Sequence, residues 1–333
     1  MGFWEDATPS GQARQGLWAI VLANAADPVE DEVAPAQAPY PAPRPRPYWR
    51  ASSGLTHIEQ TCFRAFSMAA PGQTVTVIGP GHGEYVENNA IGIPGRLLEL
   101  PADGGTLSDI LIPMAWILGR DPEAVVTVLP WDHYVDPAED FRALLNRVSA
   151  FANCHPNEIF ALGAEASEAI TDYGWIEPGA AISPNNRSVR RVAKFHRASD
   201  AAQAVAFYRA GYLWNTSIFV ARAAAFWENA RVCVPEAMER FDALRVAIAG
   251  NGASPGTSIW EDLVADTLNG LNPLNFENDV LRPLRAQTAV VPMIGLFWAD
   301  LVRPERMLEI LEPIDDSHGG AIYEPPEDTT DMR

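Results

Sequence analysis

Asp132 and Asp300 each follow a run of β-forming residues, in Pro130-Trp131-Asp132-His133 and Trp298-Ala299-Asp300. Two carboxylates brought to one crevice suit Mg2+, a hard cation that takes oxygen ligands and leaves positions open for substrate phosphates. Metal-bridged phosphates would let an acidic protein accept a nucleotide. The spacing alone leaves open that each Asp caps a helix. His133 reads as base, ligand or structural hydrogen-bonding group, and His57, His82, His155 and His196 share no metal-ligand spacing. No serine stands in a Gly-x-Ser-x-Gly elbow, so a hydrolase triad has no support. Gly104-Gly105-Thr106 either lets a base or ribose approach the backbone or makes an ordinary turn. Tyr173-Gly174-Trp175-Ile176-Glu177 and Trp214-Asn215-Thr216 combine aromatic, amide and carboxylate groups that suit a hydroxyl-rich ligand, and they serve equally as core strands.

The elements around these residues alternate. Leu17–Leu22 reads as a buried strand. Residues 24–48 are rich in Ala, Pro and acids and end in Pro41-Ala42-Pro43-Arg44-Pro45-Arg46-Pro47, which predicts an extended loop or arm. A helix is expected over His57–Ala69, strands over Thr74–Ile78 and Ala124–Leu129, a helix over Ala138–Ala152 and a strand over Glu158–Leu162. That order predicts an α/β, Rossmann-like fold: a mostly parallel central sheet flanked by helices, with ligands beyond the carboxyl ends of the strands. Further on, Asp172–Glu177, Arg190–Phe195, Trp214–Ala221 and Ala289–Ile294 read as strands. Asp200 is placed to cap a helix over Ala201–Ala210 that Gly211 stops, and helices are expected within Ala223–Leu271. One domain over residues 17–311 is the expectation, with a tail over 1–16 and an acidic tail over 312–333 that is expected to be disordered from Glu324 to Arg333.

Composition narrows the partners. The 333 residues are 47% hydrophobic and 20% charged, enough for a sizeable core. A net charge of −19 argues against nucleic acid and anionic membrane as partners. The three cysteines, Cys62, Cys154 and Cys233, imply no disulfide framework or metal site. With no signal peptide or apolar run of membrane-spanning length, the chain reads as cytoplasmic. Oligomerisation is left open.

In order and spacing these pieces resemble bacterial mannose-1-phosphate guanylyltransferases, within the sugar nucleotidyltransferases, from about Leu17 to Leu311. Val21-Leu22-Ala23 resembles the family's first strand, His57-Ile58-Glu59-Gln60-Thr61 its Leu-Leu-Glu-Gln-Thr helix, and Pro101 with Gly105-Thr106 its base-side Pro-x-x-x-Gly-Thr. Pro130-Trp131-Asp132-His133 is similar to Pro-Ser-Asp-His, and Trp298-Ala299-Asp300-Leu301 to Trp-Ser-Asp-x-Gly. The resemblance implies metal carboxylates at Asp132 and Asp300. Tyr173-Gly174-Trp175-Ile176-Glu177-Pro178-Gly179 is similar to the sugar-side Tyr-Gly-Trp-Ile-Glu-x-Gly. Leu213-Trp214-Asn215-Thr216 is similar to Leu-Trp-Asn-Ser, and Phe276-Glu277-Asn278-Asp279-Val280-Leu281 to Phe-Ser-x-x-Val-Leu. The implied substrate contacts are Gly105, Thr106, Gly174, Glu177 and Asn215.

Departures fall on the phosphate side. Where the family has Gly-Gly-x-Gly-Thr-Arg, whose amides and arginine hold the triphosphate, this chain reads Asn24-Ala25-Ala26-Asp27-Pro28-Val29. Pro45-Arg46-Pro47 corresponds to Pro-Lys-Gln and leaves Arg46 as the substitute catalytic cation. Phe-x-Glu-Lys-Pro becomes Phe195-His196-Arg197-Ala198-Ser199, with Lys194 or Arg197 as replacements for the sugar-phosphate lysine. The resemblance therefore implies an impaired nucleotidyltransferase homologue that keeps a cleft for GTP, mannose 1-phosphate or GDP-mannose, with Mg2+ if both aspartates hold it. Its alternatives are an active guanylyltransferase releasing pyrophosphate, and an assembly subunit without ligand that uses the proline-rich arm for recognition.

Overall fold

The computed structural model describes residues 16–24, 45–49, 54–88, 92, 93, 95–183 and 186–301. The expected tails over 1–16 and 312–333 and most of the 24–48 arm lie outside these residues, apart from Gly16, Asn24 and 45–48.

In chain order the strands are β1 Leu17–Ala23, β2 Thr74–Ile78, β3 Arg96–Glu99, β4 Val125–Pro130, β5 His133–Asp136, β6 Ile159–Glu165, β7 Gly174–Ser183, β8 Asn186–Arg197, β9 Leu213–Arg222, β10 Thr288–Pro292 and β11 Phe297–Asp300. The helices are α1 His57–Phe66, α2 Gly83–Asn88, α3 Gly105–Arg120, α4 Ala138–Cys154, α5 Ala201–Arg209, α6 Ala223–Cys233, α7 Pro235–Asn251 and α8 Ser258–Leu268. A nine-stranded sheet runs β3-β2-β1-β4-β9-β6-β10-β8-β7. Following the pairings across it, seven strands point one way, and β9 and β8 run against them. The mixed, mostly parallel sheet expected from the alternation is the architecture found.

The apolar run of β1 is buried because both faces of the sheet are covered. Trp18 and Ile20 join Val126, Val128 and the apolar side of α3, α6, α7 and α8 in one core. Ala19, Val21 and Ala23 join α1 and α4 in the other. The largest element that sequence periodicity missed is α3. Every residue from Leu107 to Ile117 is buried, so no exposed polar stripe marks it as helical. No helix among the described residues is long and apolar enough to cross a membrane.

Candidate functional site

Two short strands join what the sequence leaves far apart. β5 and β11 pair antiparallel, with His133 opposite Asp300 and Tyr134 opposite Ala299, and the Leu301 N–H donates to the Asp132 carbonyl at 2.6 Å. Asp132 and Asp300 thereby line one cleft of about 370 Å³ at the carboxyl ends of β1 and β4. Burial, and then the charge of Asp300, push the Asp132 carboxyl up to about 7, against its own backbone hydrogen bond and Arg64. Two like charges that cannot comfortably ionise together gain from a shared cation. The pair fits Mg2+, which takes one or two carboxylates and completes its shell with substrate oxygens. Among the described residues no three His, Cys, Asp or Glu side chains gather as a protein-only cage.

Neighbouring groups hold Asp132 in place. The Thr61 hydroxyl donates to the Trp131 carbonyl at 3.1 Å, and Arg64 in turn donates to Thr61, so α1 is tied to the turn carrying the aspartate. Arg64 is the contributor that motif reading missed. Its signal was only a cation three residues after the threonine. His133 stands edge-on to Trp298 at 5.1 Å with Nε2 3.6 Å from Asp132. Burial, then Arg64, push its imidazole down to about 3, so it is neutral near pH 7 and unsuited to act as a ready base.

The opposite wall is built by a register break between β6 and β9 after Ala161. Ser217 in β9 takes φ 54, a conformation that costs a non-glycine residue on the order of 1 kcal/mol and clusters at functional sites. Asn215 points into the cleft beside Gly174. Its Oδ1 accepts from the Ser217 N–H at 3.2 Å, and its Nδ2 donates to Glu277. Arg197, opposite Gly174 across β7 and β8, is the one basic side chain among the described cleft residues.

At the end nearest β1, Thr106 lines the cleft while its hydroxyl accepts from the Phe276 N–H at 3.0 Å. Gly105, at φ +74, admits protein rather than ligand: an added Cβ would lie 2.3 Å from the Leu274 carbonyl oxygen. Asn24 Nδ2 donates to Asp109 Oδ1 at 2.9 Å. Asp109 is 4% exposed, and burial pushes its carboxyl up to about 7, its hydrogen bond to Asn24 opposing and Asp103 adding to the rise.

Besides Gly105, three of the residues singled out from sequence sit outside the cleft lining. Arg46 opens a 3-10 turn packed on α1, outside the cleft lining. Lys194 lines a separate recess. Glu177 bonds His196 at 2.8 Å and also Tyr212, and it does not line the cleft. Period-two alternation along β8 explains the exchange of cations: Arg197 and Lys194, an odd number of residues apart, fall on opposite faces.

No family model matches the chain. Among curated proteins it is similar to alginate biosynthesis protein AlgA of Pseudomonas putida, 33% identical over 137 residues, which are 40% of this chain and 27% of that protein. It is also similar to mannose-1-phosphate guanylyltransferase of Escherichia coli, 28% identical over 136 residues, 40% of this chain and 28% of that one. A solved structure from Thermus thermophilus, described as a mannose-1-phosphate geranyltransferase, superposes with TM-score 0.68 at 24% identity, covering 86% of this chain and 76% of its own. The resemblance to mannose-1-phosphate guanylyltransferases holds.

The fold is that of the nucleotide-diphospho-sugar transferases. The chain spans less than a third of the length of the curated relatives it matches. Electrostatically the cleft is lopsided. Asp109, Asp132, Asp172, Glu277 and Asp300 face the single Arg197 among the described residues. Such a lining disfavours a bare polyphosphate more than one whose charge a divalent cation offsets.

Proposed function

We propose that this chain is a mannose-1-phosphate guanylyltransferase-like homologue that holds a nucleotide sugar and is impaired in making one. The observation that carries the reading is the pairing of Asn24 with buried Asp109 at the exit of β1, where a triphosphate would need amide donors and cations. Removing one preorganised charge-stabilising group from a transfer site costs about 10²–10³ in rate. Here a carboxyl occupies the neighbourhood instead. In this reading Asp132 and Asp300 hold Mg2+, which when bound would offset the charge of the diphosphate oxygens. Asn215, Gly174 and Arg197 meet the sugar end, and Thr106 the base side. This reading leaves out Gly105, Arg46, Lys194 and Glu177, none of which is among the described cleft residues.

The convergence of Asp132 and Asp300 also favours a second reading, a working guanylyltransferase. Pyrophosphate release with GTP, mannose 1-phosphate and Mg2+ separates the two. Impairment gives no release above the protein-free control, whereas turnover abolished by Asp132→Ala or Asp300→Ala overturns it. Calorimetry with GDP-mannose then tests the cleft. Binding is expected only with Mg2+ and is lost in both variants. No heat and no thermal stabilisation would leave an assembly subunit without ligand.

A further inference from the structure

A group of positive charges lies outside the cleft. Lys194 from β8, Arg282 after the π-helical turn Glu277–Leu281, and Arg285 at the start of the next 3-10 turn line a recess of about 460 Å³, with Ala193 and Phe195. No carboxylate is among its described lining residues. Two acids stand close by. Glu177 is opposite Lys194 in the β7–β8 register, and its carboxylate, held low by its hydrogen bond to His196, is also stabilised by the Lys194 charge. Glu277 Oε1 accepts from Arg282 at 3.1 Å. Arg285 makes no ion pair among the described residues, and the buried Arg282 Nε has no acceptor there. Leaving such a charged donor unsatisfied is costly, so an acceptor with several oxygens would be gained rather than merely tolerated.

We propose that this recess is a binding site for a phosphate dianion, free or as the phosphomonoester of a small molecule, and that it communicates with the cleft. The link is a continuous chain of hydrogen bonds. Arg282 holds one oxygen of Glu277, and the other oxygen accepts from Asn215 Nδ2 on the cleft wall. An anion that draws the Arg282 guanidinium toward Lys194 and Arg285 loosens its hold on Glu277 and changes how Asn215 is presented. The site stands whether or not the cleft takes a nucleotide sugar.

The full-length protein titrated with inorganic phosphate and, separately, glycerol 2-phosphate, at constant ionic strength set with chloride, tests this. Saturable binding is expected, weakened about ten- to hundredfold by Arg285→Gln or Lys194→Gln and unchanged by Arg197→Gln in the cleft. Both recess variants alter exposed side chains, and thermal melts without phosphate check that they fold. Phosphate should also shift the Asn215 side-chain amide resonance in the parent protein and not in Arg285→Gln. The preferred one of the two ligands identifies the source of the dianion. Absence of saturation for both ligands overturns the site, and so does binding that Arg197→Gln removes while the recess variants keep it. A saturable site that leaves the Asn215 resonance unmoved overturns the communication.

Discussion

Asp109 occupies a position where ionisation works against folding. Its carboxyl is raised from 3.8 to about 7, so the folded state keeps a proton that the unfolded chain releases near pH 4. Stability contributed by this group is therefore full below about pH 4, falls as pH rises, and is gone above about 7, a span worth up to roughly 4 kcal/mol. Asp109→Asn preserves an acceptor for Asn24 and removes the ionisation. The variant should be more stable than the parent at pH 8 by at least about 1 kcal/mol in denaturant titration, the two converging near pH 4. Equal stabilities at pH 8 would mean that the carboxylate finds solvent or a cation after all. Ser217 carries its own cost at the same scale, a left-handed backbone that turns Asn215 toward the ligand space.

The elements show how local signals place distant chemistry. Thr56 and Glu59 form a reciprocal cap on α1: the Thr56 hydroxyl accepts from the Glu59 N–H at 3.3 Å, and Glu59 Oε2 accepts from the Thr56 N–H at 2.8 Å. Glu59, which family likeness marks as a motif residue, thus has a structural role that capping rules describe. Thr56→Ala should lower the unfolding free energy by about 1 kcal/mol. Because α1 carries Thr61 and Arg64 to the Asp132 turn, Mg2+-dependent ligand binding should weaken with it. A melting temperature unchanged by the substitution would show that tertiary packing alone fixes the helix. β5 and β11 are the opposite case, four residues each and without a local signature, yet their ladder sets the distance between the two aspartates. Capped α5 follows its sequence closely: Asp200 accepts from the Gln203 N–H at 2.8 Å as expected.

Across the whole molecule, −19 net charges act on a structure whose two cores are separated by one sheet. Self-repulsion opposes compaction and is screened by salt with a Debye length of about 8 Å at 0.15 M. The melting temperature at pH 8 should rise between about 0.02 and 0.2 M NaCl, and rise less near the isoelectric point. A salt-independent melt at pH 8 would show the acids to be locally compensated. The sequence by itself determined what is local: the apolar runs that become β1, β2, β4 and β6, the cap at Asp200, and the order of motifs that sets the family likeness. Its proline and acids after β1 also depart from the glycine-rich pattern of the family it resembles. Only the tertiary structure decided which candidates meet. It joined Asp132 to Asp300 through β-pairing, put Arg197 in the cleft and Lys194 in the recess, and turned Glu177 to His196. It also revealed Arg64 and Asp109, which no motif contained. The reason is physical: strand propensity and capping are written within a few residues, whereas register, strand face and desolvation depend on chain segments up to hundreds of residues away.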